Sequence, residues 1–141
     1  MTQQARQADA GICILRAADR AERGSYFAAE ITDNRVANFG LVELGSGRLQ
    51  VALAETDEGA TFPAQYHIGV EMAVIIAGAG AIEVGENETH RGVYEFTAGD
   101  IVLIPPQLVY RVYNRRAGEK LLAWVFFAEE TRSYWPDGRR A

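Results

Sequence analysis

The sequence has too few cysteines to belong to the disulfide-stabilised secreted domains. It contains only Cys13 in a chain of 141 residues, so no disulfide can form within the chain. The neighbours Ile12 and Ile14 are apolar, which is typical of a small core residue rather than of a reactive thiol. The first ten residues are polar and lack the apolar segment of a signal peptide. We therefore expect a cytoplasmic location.

The chain also lacks an excess of positive charge and any long apolar run. It has 14 Lys and Arg residues against 19 Asp and Glu residues, which gives a net charge of −5 and a pI near 5.0. That balance argues against electrostatic binding to nucleic acid, and no stretch approaches the roughly 20 apolar residues that cross a membrane. With 48% hydrophobic and 23% charged residues, the composition is that of one globular domain. We expect neither a nucleic-acid nor a membrane partner.

The spacing of turn-forming residues predicts an all-β protein. Residues 11–15 are typical of a short strand, and residues 16–23 of one or two helical turns that stop at Gly24. From residue 33 onward, Gly, Asn and Asp recur at short intervals and separate strand-like runs. These runs cover residues 49–54, 67–76, 81–84, 101–104, 109–113 and 121–128. Several short strands at such spacing are typical of a barrel or a sandwich.

Two groups of polar residues are spaced so that each group shares one strand face. Alternate side chains of a strand face the same way, so Gln65 and His67 lie together, and Glu71 joins them if the strand continues or resumes in phase. Tyr110 and Asn114 form a second set of the same kind. A barrel lined by both groups would collect an amide, an imidazole, a carboxylate and a phenol. Such a polar cluster in an apolar interior needs a reason.

Simpler structural roles account for some of these residues. Gly59, Gly78 and Gly99 fit turns that require a positive φ. His90 lies in a polar hairpin segment, where we expect it to be solvated. A single inward-facing histidine is more often a hydrogen-bonded core residue than a metal ligand. Here Glu71 lies four residues after the inward histidine, and this pair favours a functional pocket.

The spacing of the two groups resembles the two halves of the cupin motif. In that family the first half reads G-x5-H-x-H-x3/4-E-x6-G and the second reads G-x5-P-x-G-x2-H-x3-N. Three histidines and the glutamate bind one metal ion inside a small β-barrel. This chain keeps His67 and Glu71, whereas Gln65 and Tyr110 stand in place of two histidines. The matching segments are Gly59-x5-Gln65-x-His67-x3-Glu71-x6-Gly78 and Gly99-x5-Pro105-x-Gln107-x2-Tyr110-x3-Asn114.

The resemblance implies a single cupin barrel, that is, a double-stranded β-helix or jelly roll, over residues 41–128. Residues 1–40 would then form an N-terminal tail, the strand and the short helical segment, and residues 129–141 a C-terminal tail. Cupins often pair through their outer sheets or exchange an N-terminal strand, and residues 11–15 are available for such pairing. We therefore expect a homodimer.

The resemblance also implies a metal site held by Gln65, His67, Glu71 and Tyr110. One imidazole, one carboxylate, one amide oxygen and one phenol are a harder and weaker set of donors than three imidazoles and a carboxylate. A metal lowers the pKa of a bound phenol from its reference value near 10, so Tyr110 could bind as a phenolate. Iron or manganese, as a divalent or ferric ion, is therefore favoured, with zinc as a further option. We expect no organic cofactor.

The same residues are compatible with several functions on a small-molecule ligand or substrate. Tyr110 and Glu71 can act as acid and base, while Gln65 or a metal polarises a carbonyl group of the substrate. Gln65 and Trp124, on a late strand, are the candidates for binding the substrate. The favoured interpretation is a small cupin enzyme, with or without the assistance of a metal, that carries out lyase, isomerase or cyclase chemistry on a small polar metabolite. The alternatives are a non-catalytic ligand-binding cupin with a degenerate metal site, and an oxygenase with an unusual metal centre.

Overall fold

Every regular element in the described part of the chain is a β-strand. The computed structural model describes residues 24–25, 34–44, 47–61, 64–85, 92–116, 118–128 and 133–139. The strands are β1 (Gly24–Ser25), β2 (Asn34–Leu44), β3 (Gly47–Thr56), β4 (Tyr66–His67), β5 (Glu71–Ala77), β6 (Ala79–Val84), β7 (Gly92–Thr97), β8 (Ile101–Ile104), β9 (Tyr110–Asn114), β10 (Leu121–Phe127) and β11 (Ser133–Tyr134). Within these ranges, no helix has the length and apolar character that crossing a membrane requires.

The all-β prediction is therefore confirmed, while four predictions concern parts of the chain outside these ranges. They are the strand at residues 11–15, the helical turns at residues 16–23, the core position of Cys13 and the solvated position of His90. Each of them stays a prediction.

Two antiparallel sheets enclose the interior of the barrel. The larger sheet has the strand order β1-β2-β3-β10-β5-β8, and the smaller has the order β7-β6-β9. A short third sheet pairs β4 with β11. The core cluster takes side chains from both larger sheets, among them Ile75 and Leu121 from one and Ile82 and Phe96 from the other. This arrangement confirms the predicted single β-barrel.

Strand β10 shows how the sequence builds the inner wall. Its residues alternate between buried and half-buried along all seven positions, as expected for a strand with one face toward a core. The inward face carries Leu121, Ala123, Val125 and Phe127, and it lies between β3 and β5. Ala123 is paired with Ala54 on one side and with Ile75 on the other. Two small side chains, Ala54 and Ala123, thus lie next to each other beside the larger Ile75.

The strands that the sequence did not predict have weak alternation. The predicted run at residues 101–104 matches β8, and the run at residues 67–76 is divided by residues 68–70 into β4 and β5. Strand β7 was missed because four of its six residues are exposed, which leaves no apolar period of two. Strand β2 contains a register shift between Asn38 and Gly40, so its pattern changes phase halfway along.

Two turn positions show how the backbone of the motif is held. Gly78 has a φ of 87°, and a Cβ there would lie 2.7 Å from the carbonyl oxygen of Lys120. Only glycine fits, both because of the φ and because of the close backbone. Gln107 has a φ of 63°, although the cupin pattern has glycine at this position. Gln107 is thus a third departure from the pattern, beside Gln65 and Tyr110.

Candidate functional site

Backbone hydrogen bonds bring the two groups of polar residues together. The N–H of Gln65 donates to the carbonyl oxygen of Tyr110 (3.0 Å), and the N–H of Tyr110 donates to the carbonyl oxygen of Gln65 (2.9 Å). His67 lies two residues further on, where its carbonyl oxygen accepts from the N–H of Gln107 (2.7 Å). On its other side β4 is paired with β11, which places Ser133 opposite His67. The pairing of β4 with β11 was not predicted from the sequence.

The side chains of Glu71, Tyr110 and His67 form a buried hydrogen-bonded set, which we call the Tyr110 triad. The phenol of Tyr110 donates to Glu71 Oε2 across 2.6 Å, and His67 Nε2 lies 2.9 Å from Tyr110 Oη. Since the single phenolic proton goes to Glu71, the bond from His67 requires a proton on its Nε2. His67 Nε2 and Glu71 Oε2 are 3.6 Å apart. The three polar groups therefore converge on one point.

Burial sets the charge of the triad. Glu71 is 7% exposed, and desolvation raises the pKa of its carboxyl from 4.5 to about 7, against the smaller lowering by the hydrogen bond from Tyr110. The carboxyl is thus poised between its protonated and ionised forms at neutral pH. A group in that condition can give or accept a proton at little cost in free energy.

Gln65 adds a polar atom whose hydrogen-bonding capacity is unused. Its side chain is 3% exposed, and its Oε1 has no hydrogen-bond partner among the residues that the structure describes. A buried carbonyl oxygen without a donor costs about 1–3 kcal/mol, so native proteins seldom keep one without a reason. Gln65 therefore marks the place where a donor from outside the protein would be stabilised.

These side chains form one end of a cavity inside the barrel. The cavity has a volume of about 90 Å³ and is lined by 18 described residues, of which five are polar. The polar residues are Thr56 and the four predicted site residues, Gln65, His67, Glu71 and Tyr110. The others are Ala52, Ala54, Ala73, Ile75, Ile82, Phe96, Val102, Ile104, Val112, Leu121, Ala123, Val125 and Phe127. The aromatic ring of Phe127 also contacts the imidazole of His67, with their centroids 5.0 Å apart.

The structure does not bring Trp124 to this cavity. On β10 the cavity-lining residues are Leu121, Ala123, Val125 and Phe127, and Trp124 lies at an intervening position of the alternation. Its side chain is therefore on the opposite face of the sheet. The prediction that Trp124 binds the substrate has no support from this geometry, and Phe127 is the aromatic residue of β10 that lies beside the polar groups.

Asn114 has a structural role at the other end of β9. Its amide nitrogen lies 3.1, 3.1 and 2.8 Å from the carbonyl oxygens of Thr56, Asp57 and Glu119. Its side-chain oxygen accepts from the N–H of Arg116 at 3.1 Å. The side chain thus fixes the end of β3 and the turn before β10 to β9.

The four predicted ligand positions fit a proton-sharing network better than a metal ion. The described residues contain no group of three His, Cys, Asp or Glu side chains that could hold one. Two ligands of one ion at about 2.1 Å and 90° lie about 3 Å apart, whereas Tyr110 Oη and Glu71 Oε2 are separated by 2.6 Å. That distance is typical of a charge-assisted O–H···O bond. Metal ligands must also be deprotonated, whereas Tyr110 is placed to donate its phenolic proton to Glu71 Oε2.

The comparisons with known proteins agree on the fold. A family profile described as "Cupin domain" matches residues 52–126. The vicilin of Capsicum annuum superposes with a TM-score of 0.66 at 19% identity, over 77% of this chain and 32% of that chain. A mutant oxalate decarboxylase of Bacillus subtilis gives 0.61 at 21% identity, over 74% and 29%. The vicilin of Solanum melongena, which holds different anionic ligands in structurally similar pockets, gives 0.64 at 14% identity, over 74% and 30%.

These similarities establish the architecture and leave the activity open. At identities of 14–21%, likeness to a solved structure shows the fold alone. The chain spans about a third of the length of the proteins it superposes on. No curated protein matches it in sequence.

Proposed function

The chain belongs to the cupin family, since the matching profile covers more than half of its residues, and we propose that it is an enzyme that catalyses proton transfer. The reaction class is that of an isomerase, lyase or cyclase acting on a small molecule in the barrel. One observation carries the proposal. The phenol of Tyr110 is held between Glu71 Oε2 at 2.6 Å and His67 Nε2 at 2.9 Å, inside a cavity that is otherwise apolar.

In this mechanism Tyr110 exchanges protons with the substrate, and Glu71 returns Tyr110 to its starting protonation state. Acting as an acid, the phenol gives its proton to a substrate oxygen and receives one from the protonated Glu71 carboxyl. In the reverse direction the Glu71 carboxylate takes the phenolic proton while Tyr110 removes a proton from a substrate carbon next to the carbonyl group, whose electrons move onto the carbonyl oxygen. His67 donates a hydrogen bond to Tyr110 Oη and so stabilises the phenolate that forms between the two transfers. Protons balance over the cycle, as an isomerisation requires.

The test is deuterium exchange, which needs no knowledge of the natural substrate. A panel of small enolisable ketones and aldehydes, with and without a hydroxyl group, is incubated in D₂O with the protein, and mass spectrometry measures the uptake of deuterium at carbon. Tyr110→Phe should lower the rate for any active compound by about 10²-fold or more, because removing a general acid or base usually costs that much. Glu71→Gln should lower it as well.

The matched control for this test lies on the same strand. Tyr113 also donates its phenolic proton to a glutamate, Glu83 Oε2 at 2.8 Å, but it does not line the cavity. Tyr113→Phe therefore removes the same group from β9 and should leave the exchange rate within about twofold of the wild type. If Tyr110→Phe kept the full exchange rate, Tyr110 would have no part in the mechanism. A protein that bound these compounds without any exchange would be the non-catalytic cupin.

A metal-assisted reaction is the competing proposal. Gln65, His67, Glu71 and Tyr110 are the residues that would hold an iron, manganese or zinc ion. The observation in favour of the ion is that Gln65 Oε1 has no hydrogen-bond partner among the described residues. A related fold is that of the Bacillus subtilis oxalate decarboxylase, which has Mn(II) centres. Metal analysis of protein purified without chelator decides the matter, with His67→Ala as the control. We expect less than one ion per ten chains in the wild type.

The four positions can also be tested by restoring the donors of the family. Gln65→His combined with Tyr110→His would supply three imidazoles and one carboxylate at the spacing of the cupin motif. The double variant should gain at least about tenfold in affinity for Zn²⁺ or Ni²⁺, as measured by competition with a chelator. An unchanged affinity would mean that the four side chains do not converge.

We also propose a homodimer formed through the outer face of β5 and β8. Ile101 and Leu103 on β8 are 59% and 68% exposed, and their partners on β5 are Val74 and Met72. This makes a continuous apolar surface on an edge strand, which soluble proteins usually cover. Leu103→Asp should halve the mass measured by light scattering, whereas the same change at Val93 on β7 should not. A monomeric wild type at high micromolar concentration would contradict the proposal.

Cytoplasmic location, and the lack of a nucleic-acid or membrane partner, stay predictions.

A further inference from the structure

The lining of the cavity is poorly suited to a polar or anionic ligand. Thirteen of its 18 described residues are apolar, and no Lys or Arg is among them. The only acidic group is Glu71, and it faces His67 across 3.6 Å. An anion taken into this cavity would lose its hydration without gaining a permanent positive partner. The described walls therefore select against carboxylate and phosphate groups.

One polar atom of the cavity lining requires a hydrogen-bond donor from the ligand. Gln65 Oε1 is a buried acceptor without a donor in the described part of the chain. Three of the other four polar side chains of the cavity already bond one another, since Tyr110 bonds both Glu71 and His67. A ligand with an O–H or N–H group would satisfy Gln65, whereas a ligand with acceptors alone would leave the amide oxygen unpaired.

The cavity exists because several lining residues are alanines, whose short side chains leave space unfilled. Ala52 and Ala54 on β3 are paired with Val125 and Ala123 on β10, and all four line the cavity. Short side chains at neighbouring positions leave space that leucine or valine would fill. At roughly 10–15 Å³ for each water-sized group, the volume of about 90 Å³ holds about six to nine such groups.

We propose that the cavity binds an uncharged, largely apolar molecule of roughly six to nine non-hydrogen atoms whose hydroxyl or N–H group donates to Gln65 Oε1. This assignment rests on the proposed function, because it names the substrate class of the same site. It replaces the small polar metabolite expected from the sequence. The ligand's donor group would lie at the polar end beside the Tyr110 triad, and its apolar body would contact the alanines of β3 and β10.

Three probes of similar size separate the features of this ligand. Benzyl alcohol and anisole are isomers, and only the alcohol has a hydroxyl donor, while benzoate carries a negative charge on the same ring. Each is titrated into the full chain and followed by ¹H–¹⁵N NMR. We expect both neutral probes to shift the signals of cavity-lining residues, and benzoate to bind at least about tenfold more weakly than benzyl alcohol.

Two variants test whether the probes bind as proposed. Gln65→Met keeps the size of the side chain and removes the acceptor. The preference for benzyl alcohol over anisole, measured as the ratio of their dissociation constants, should therefore fall by about tenfold. Ala73→Leu fills part of the cavity and should weaken both neutral probes. An unchanged ratio in Gln65→Met would overturn the role of Gln65.

The outcomes distinguish this inference from the proposed function. If benzoate bound most tightly, or if no probe bound, the ligand class would be overturned. The proton-transfer proposal would then still depend only on the deuterium-exchange test of Tyr110→Phe. If Tyr110→Phe kept full exchange while benzyl alcohol bound as expected, the proposed chemistry would fail and the ligand class would stand.

Discussion

The two ends of β9 carry motif residues of the same strand face, yet their side chains are used differently. At one end Asn114 contacts four backbone groups, three carbonyl oxygens and one N–H, that belong to neighbouring turns. At the other end Tyr110 bonds two ionisable side chains, Glu71 and His67. Backbone groups cannot change their charge, whereas a carboxyl and an imidazole can. The same spacing in the sequence therefore serves architecture at Asn114 and chemistry at Tyr110.

The largest effect on stability should come from the architectural end. Asn114→Ala removes the partner of four backbone groups; since two amide protons are shared among three carbonyl oxygens, the loss is about three hydrogen bonds, and the free energy of unfolding should fall by about 3–4 kcal/mol. Tyr110→Phe should cost only about 1 kcal/mol, because the ring is kept and Glu71 can still interact with His67. Chemical denaturation of both variants measures the difference. The comparison would break down if Tyr110→Phe were the more destabilised of the two.

The next effect is a dependence of the free energy of unfolding on pH, which arises from Glu71 at the Tyr110 end of β9. Below pH 4.5 the Glu71 carboxyl is protonated in both the folded and the unfolded chain. Because its folded pKa is raised to about 7, the free energy of unfolding should fall as the pH rises from about 4.5 and level off above about 7. The full change is about 3 kcal/mol, at 1.36 kcal/mol for each pKa unit.

Glu71→Gln provides the control for this dependence. The neutral amide cannot ionise, so the difference in stability between wild type and variant should change sign or size across that pH range. Asn114→Ala should keep the wild-type dependence, because it does not touch the triad. Parallel profiles for wild type and Glu71→Gln would show that Glu71 titrates near its ordinary pKa.

The smallest effect concerns the turn that supports His67. Gln107 is exposed and holds a φ of 63°, which costs a side-chain-bearing residue roughly 1–2 kcal/mol. Glycine relieves this strain but adds freedom to the unfolded chain, so Gln107→Gly should stabilise the fold by about 0.5–1 kcal/mol. Thermal denaturation measures the gain. A loss of stability would show that the Gln107 side chain has a stabilising contact.

The fold and most of the site could be predicted because both depend on spacing. Gln65, His67 and Tyr110 converge since strand residues alternate in direction, and Glu71 joins them because β5 resumes in phase after residues 68–70. Trp124 could not be placed, because both faces of β10 are apolar and the sequence does not tell inside from outside. The apolar surroundings of the polar cluster were predicted, but the space inside them was not, since it depends on which alanines of different strands become neighbours.

The protonation of Glu71 tests the central claim most directly, because a proton-sharing triad and a metal centre require opposite states of this carboxyl. The measurement is a pH titration of the side-chain carboxyl by ¹³C NMR in glutamate-labelled protein, with Glu71→Gln used to assign the signal. A triad predicts a midpoint near pH 7, moving higher in Tyr110→Phe because the hydrogen bond that lowers the pKa is lost. A midpoint at or below the ordinary 4.5 would contradict the account, since it is the value expected of a carboxylate that is ionised at neutral pH, as a metal ligand must be.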